Sequence, residues 1–369
     1  MSNSLDDFAN AYGVTPEQPA AMHFDPLPEA DEPERPQYRP PKEMVTMPQV
    51  ATTSEVAETG MRGWANRTLG MKLAPSAAEQ LDNKWVQQMN YPLRHTKYIA
   101  VFSTKGGVGK TVTLQGVAST IGSHRKPVSI IGLDFDAASG LAERMVSNSG
   151  TRPTDSVRSF FDKELRTGKG SRPSHQDITS YASTNTENLE VMAGAKWSRD
   201  DRLDVPTARA IAAAMEGTYN LVFIDLPGAE ESDVARDVLD WCDGLIYVIE
   251  TKADAFSVGL RGLDAIAERR PELLASTVVV LNHRTNEAVN FSLDDAYSRI
   301  ASMRQGEQLE VYELDYDSHI GAGGPMSLSQ MSPSTRRTLR KIAGNLMESL
   351  PRAERPGLSR VLNARGTVH

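Results

Sequence analysis

The chain has 369 residues, 39% of them hydrophobic, enough for one large domain with a real core plus flanking segments. Its formal net charge of -8 argues against a general nucleic-acid coat. The excess is local, however: residues 1–60 carry 11 acidic and 3 basic side chains and the remainder carries 37 of each, which leaves room for a basic patch on a neutral body. A lone Cys242 excludes an internal disulfide and reads as a small buried residue in a reducing compartment. The polar start and the lack of any apolar run of membrane-spanning length exclude a signal peptide and a transmembrane span, so a cytoplasmic protein is expected.

Residues 1–60 are acidic and proline-rich, with Pro26, Pro28, Pro33, Pro36, Pro40 and Pro41 closely spaced among few apolar residues. Such a segment buries too little surface to offset its ordering entropy, which predicts a disordered tail, either a partner ligand or simply solvated. From Met61 the chain turns basic and apolar, with Trp64, Leu69, Met71 and Leu73 among Arg62, Arg67 and Lys72. Ser76 and Glu79 then form a capping-box signature opening a helix with Leu81, Trp85 and Met89 at spacing four. The 61–95 segment reads either as a membrane-surface or partner-binding element or as an extension packed on the following domain.

Tyr98 to Phe102 read as a buried strand, and Gly106, Gly107, Val108, Gly109, Lys110, Thr111 and Val112 as a glycine-rich loop entering a helix. The glycines let consecutive N–H groups curl around a phosphate, Lys110 adds positive charge, the Thr111 hydroxyl suits Mg2+, and the helix behind points its positive end at the anion. A nucleotide site is expected here. Pro127 to Asp136 make an apolar strand ending in Asp134 and Asp136, which alternation places on one side. Residues 148–185 read as loops and short helices, and Leu189 to Gly194 as another strand. Tyr219 to Asp225 is an apolar strand ending in aspartate before Pro227 and Gly228, and Gly244 to Glu250 and Thr277 to Asn282 are two more. Leu309 to Asp317 is the last. The final helix, from Ser332, carries Arg336, Arg337, Arg340 and Lys341 outside an apolar face of Leu339, Ile342 and Leu346. Strands alternating with helices predict an α/β fold: a doubly wound, mostly parallel sheet with helices on both faces, spanning 96–350, followed by a flexible tail over 351–369.

The loop departs from the usual phosphate-binding pattern, with Thr104 at the first glycine position and a second lysine, Lys105, after it. This Lys-Gly-Gly-x-Gly-Lys-Thr form resembles the deviant Walker A loop of the ParA/MinD family of P-loop NTPases. The resemblance implies an ATPase, slow without a stimulating partner, that uses ATP and Mg2+ and closes into an ATP-dependent homodimer in which Lys105 crosses to the partner's phosphates. It further implies that Lys105, Lys110 and Asp136 are catalytic, with Asp136 orienting the attacking water. Thr111, Asp134 and Asp225 would serve the Mg2+ shell, and Asn282 would read the adenine edge. Asp315 stands about where family members often have proline. Basic residues on late helices bind DNA nonspecifically in DNA-partitioning relatives, which makes Arg336, Arg337, Arg340 and Lys341 the candidates here. The tail departs from the membrane-targeting helix of MinD-type proteins. A further likeness, through Arg62 to Trp64, Leu133 to Arg144 and Asp317 to Leu328, is to EspI-type ATPases associated with actinobacterial type VII (ESX) secretion, which also carry a long proline-rich N-terminal region. Three readings follow: a secretion-associated switch acting on a protein partner, a DNA-partitioning ATPase, or a nucleotide-dependent scaffold or filament with little hydrolysis.

Overall fold

β1 (Lys97–Phe102) is buried at every position, as a strand covered by helices on both sides must be. The computed structural model describes residues 56, 57, 60–136, 140–145, 155–166, 172–194, 202–228, 232–287, 289, 291–303, 309–350 and 358. The disorder expected over 1–60 and the flexible tail expected over 351–369 fall almost wholly outside the described residues.

Around β1 lie β2 (Ile130–Asp134), β3 (Ser183–Thr184), β4 (Leu189–Met192), β5 (Leu221–Asp225), β6 (Gly244–Glu250), β7 (Thr277–Asn282) and β8 (Glu310–Leu314). They form one eight-stranded sheet in the order β3-β4-β2-β5-β1-β6-β7-β8. Every pairing is parallel except that of β3 with β4. The chain therefore runs outward from β1 in one direction first and later in the other, leaving a crevice at the strand C-terminal ends where the order switches. Register sets what faces that crevice: Asp134 lies beside Asp225, and Asn282 between Glu250 and Leu314.

Eleven α-helices are assigned among the described residues: α1 (Gly60–Leu69), α2 (Ala77–Met89), α3 (Lys110–His124), α4 (Val157–Phe160), α5 (His175–Thr179), α6 (Val205–Ala214), α7 (Asp233–Trp241), α8 (Ala253–Arg269), α9 (Leu293–Ala301), α10 (Ser318–Gly321) and α11 (Pro333–Ser349). Strand alternation divides the core in two. Ala100 and Phe102 of β1 join Ile211, Val238 and Leu263 of α6, α7 and α8 on one face, together with the buried Cys242. Ile99 and Val101 join Leu114 and Val117 of α3, Leu339 and Ile342 of α11, and Met89 of α2 on the other.

Close approach on this second face depends on glycines. A Cβ at Gly116 of α3 would sit 2.9 Å from both methyls of Leu339, and one at Gly344 would sit 2.9 Å from the Cα and carbonyl oxygen of Trp85. The Ser76 hydroxyl caps α2 by accepting from the Glu79 N–H at 3.2 Å. Of the residues at spacing four, Trp85 and Met89 are buried and Leu81 is exposed. Asp82 binds α2 further to α11, accepting from Arg337 Nε at 2.9 Å and lying 3.3 Å from Arg340 Nη1. Among the described residues no helix is long and apolar enough to cross a membrane.

Gly344→Val should cost about 1–3 kcal/mol, because a backbone atom cannot swing aside as a side-chain tip can. Urea unfolding checks it, with Gly324→Val as control: a Cβ there meets nothing within 4 Å.

Candidate functional site

The loop from Ser103 to Gly109 leaves the end of β1 and turns into α3. Gly107 and Gly109 hold φ of 75° and 103°, left-handed values that favour glycine, and Gly109 is itself the N-cap of α3. The first N–H groups of α3 are thus presented to the crevice with no capping side chain in front of them. Lys110 is buried, with Nζ 3.7 Å from Asp136 Oδ2. Gly228, in the turn after β5, packs against the loop: a Cβ there would lie 3.0 Å from Lys110 Nζ and 3.1 Å from the Cα and N of Gly106. The turn and the phosphate loop are thus in direct contact.

Thr111 Oγ1 donates to Asp225 Oδ2 at 2.6 Å, and Asp225 and Asp134 are both buried. Asp134 Oδ1 accepts the Asp136 N–H at 3.2 Å, which orders the chain as it leaves β2. Gly194, just past β4, closes this corner, since a Cβ would sit 2.9 Å from Asp134 Cγ. The structure thus brings together Lys110, Thr111, Asp134, Asp136 and Asp225. A hydroxyl and two neighbouring carboxylates are hard oxygen donors of the kind Mg2+ takes, so the donor set fits that ion.

A cleft of about 320 Å³ opens in front of these groups. Its walls include Arg144, His283, Arg284, Asp315 and Tyr316. Burial, and after it the charge of Arg284, pulls the Arg144 guanidinium below its ordinary value. Among the described residues Arg144 Nη1 is buried without a hydrogen-bond partner. Arg284 Nη1 comes within 3.9 Å of where a Gly107 Cβ would stand and lies 3.8 Å from Glu250 Oε1. Two guanidiniums and a buried lysine around one cleft suit a polyanion, so the residues fit a nucleoside triphosphate. In the sequence Arg144 closes the Leu133 to Arg144 stretch, and Arg284 follows Asn282 and His283 at the end of β7. His283 Nε2 lies 3.4 Å from Glu313 Oε2, and its Nδ1 is 3.2 Å from Thr251 Oγ1. His283, Glu313 and Asp315 bring one ligand atom each within 4.8 Å of one another.

No family model matches the chain. The ESX-1 secretion-associated protein EspI of Mycobacterium tuberculosis, from strains CDC 1551 / Oshkosh and ATCC 25618 / H37Rv, is 28% identical over 303 residues, 81% of this chain and 44% of that protein. The chain thus spans less than half the length of the curated relatives it matches. Among solved structures, a ParA family ATPase from Chlorobium tepidum TLS superposes with a TM-score of 0.54 at 14% identity, covering 67% of this chain and 98% of that one. The cell division ATPase MinD of Pyrococcus furiosus gives 0.50 at 15% identity, covering 69% and 97%. The fold is that of the ParA/MinD ATPases.

Within this ParA/MinD fold, the surroundings of three further groups of sequence-predicted residues are defined. Asn282, expected to read a base edge, is buried, and its Nδ2 donates to Val108 O at 2.7 Å. A Gly109 Cβ would lie 2.2 Å from that same nitrogen. The amide therefore braces the phosphate loop from beneath with one of its two N–H donors. Lys105, expected to reach a partner's phosphates, donates to Asp254 Oδ2 at 2.8 Å in the first turn of α8. The hydrogen bond from Lys105 holds the Asp254 carboxyl below the usual range. Of the basic side chains expected to meet a DNA backbone, Arg337 and Arg340 pair with Asp82, Arg337 lies 5.5 Å from the Trp85 ring, and Lys341 lies 5.0 Å from the Tyr312 ring. Arg337 and Lys341 nevertheless remain exposed to solvent.

Asn282→Ala removes the brace and leaves Val108 O without this donor. The bond's worth of roughly 1 kcal/mol predicts amide exchange about fivefold faster over residues 106–112, measured by hydrogen–deuterium exchange in the nucleotide-free protein.

Proposed function

We propose that the chain is an ATP-driven switch: it binds ATP, closes into a homodimer, hydrolyses ATP slowly to ADP and phosphate, and reopens. The observation that carries this reading is the meeting of buried Lys110, Asp136 and the Thr111–Asp225 pair at a loop bent by Gly107 and Gly109. In the proposed division of the chain, 96–350 is the ATPase domain, 61–95 a linker and helix, and 1–60 and 351–369 are tails.

The backbone N–H groups from Gly106 to Val112 bind phosphate oxygens, and Lys110 supplies a charge that needs no reorganisation because burial has already fixed it. Thr111, Asp134 and Asp225 would hold Mg2+, which when bound neutralises charge on the phosphates. Asp136 exchanges its contact with Lys110 for the attacking water, which it orients and whose proton it accepts. Gly228, touching Lys110 and Gly106, places the turn after β5 where an arriving phosphate group displaces it. Lys105 leaves Asp254 for the partner's phosphates. Because both side chains are solvent-exposed, that pair is weak and readily exchanged.

The likeness to EspI over 81% of the chain supports a role in regulating or positioning a secretion-associated protein partner. In the alternative, DNA-partitioning reading, Arg337 and Arg340 would exchange Asp82 for backbone phosphates.

Asp136→Ala should bind ATP and lose about a hundredfold or more in steady-state phosphate release. If the wild type proves no faster than this variant, even with cell extract added, the chain is not an ATPase. Lys105→Ala should retain ATP binding and lose ATP-dependent dimerisation by light scattering; unchanged dimerisation would overturn the trans role of that lysine.

A further inference from the structure

Large apolar side chains left in solvent are concentrated in one place. Among the described residues, Met61 (87% exposed), Trp64 (57%), Leu69 (64%), Met71 (43%) and Leu81 all fall between positions 61 and 81, and Tyr316 is the only other one. Residues 59–78 contain Arg62, Arg67 and Lys72 and no acidic side chain, in a chain whose net charge is -8. All three cations are exposed.

The geometry of α1 separates this surface from the packed side. At about 100° per residue, Met61, Trp64, Thr68 and Leu69 share an arc of roughly 140°, with Arg62 and Arg67 on its two flanks. Opposite lie Gly63, which is buried, and Asn66. Asn66 Nδ2 donates to Ala57 O at 2.9 Å and Leu73 O at 3.0 Å, and Asn66 Oδ1 accepts the Leu73 N–H at 2.8 Å. One side chain thus holds both flanking segments to the inner side of α1. The apolar arc is held outward and has no route to collapse onto its own neighbours.

We propose that α1 and the turn carrying Met71 and Lys72 form a membrane-surface anchor that lies flat on an anionic lipid bilayer. Met61, Trp64, Leu69 and Met71 enter the boundary between headgroups and acyl chains, while Arg62, Arg67 and Lys72 meet lipid phosphates. Charge complementarity selects this occupant. The acidic N-terminal residues of the same chain match the cations but offer few apolar side chains for the arc, whereas a bilayer supplies negative charge and apolar depth together. The anchor stands independently of the ATPase reading.

The test is co-sedimentation of the full chain with vesicles of phosphatidylcholine alone or with about one third phosphatidylglycerol. Binding to the anionic vesicles should exceed binding to neutral ones by about a hundredfold at low salt, each cation contributing roughly fivefold. Trp64→Glu with Leu69→Glu should abolish it, and Arg62→Glu with Arg67→Glu should remove the preference for anionic lipid. Circular dichroism reports whether each variant is folded. A second measurement needs no destabilising change: Met61→Cys carries an environment-sensitive dye, selective because Cys242 is fully buried, and its emission should shift blue with anionic vesicles only. Failure to sediment, equal binding to neutral vesicles, or binding that survives Trp64→Glu with Leu69→Glu would each overturn the proposal. Self-association lost in that variant would point to a second copy. Binding to duplex DNA sensitive only to the arginine changes would point to nucleic acid. Either result would also sink it.

Discussion

A buried amine has to be matched by negative charge, and in this molecule that requirement organises the crevice. Lys110 is enclosed at the first turn of α3 and its nearest carboxylate is Asp136, which arrives from the end of β2. Asp134 and Asp225 are buried alongside, set next to each other by the β2–β5 register. Charges in a low-dielectric setting are tolerated only when paired and hydrogen-bonded, and here they gather from the ends of three strands. The parallel sheet thus serves as a jig, with β2, β5 and β1 converging on a volume that no single segment could build.

The second organising constraint is how near backbones approach one another. Gly228 lets the turn after β5 touch the phosphate loop, Gly194 makes room for Asp134, Gly116 admits Leu339, and Gly344 admits Trp85. The first two position chemistry. The others stack α2 on α11 and α11 on α3, the helix whose first residue is Lys110. A methyl group at Gly228 would meet the backbone of Gly106 and one at Gly344 the backbone of Trp85, contacts that allow little adjustment.

Much of this was legible in the sequence, because strand identity depended on strong local signals. β6 and β7 run over the apolar stretches expected of them, and the loop before α3 was announced by glycines and lysines at fixed offsets. What stayed hidden depended on tertiary placement. The alanine-rich α6 has weak periodicity and was signalled only by its Asp204 cap and Pro206. Arg144 and Arg284 lie 140 positions apart, and only the fold sets them on one cleft. The pairing of Asp82 with Arg337 spans 255 positions, and nothing local to either residue marks it. The basic stripe on α11 and the apolar stripe on α1 could each have been read as core or as surface. The structure pairs Arg337 and Arg340 of the first with Asp82 and leaves the second in solvent.

The brace beneath the phosphate loop has an evolutionary consequence. The Asn282 nitrogen lies 2.2 Å from where a methyl group at position 109 would stand, so the two residues, 173 positions apart, fill one shared space. Drift at either is conditional on the other: a side chain at 109 requires a shorter one at 282, and that exchange forfeits the bond to Val108 O. The pair should therefore be inherited together, and divergence within descendants of this chain should accumulate around it.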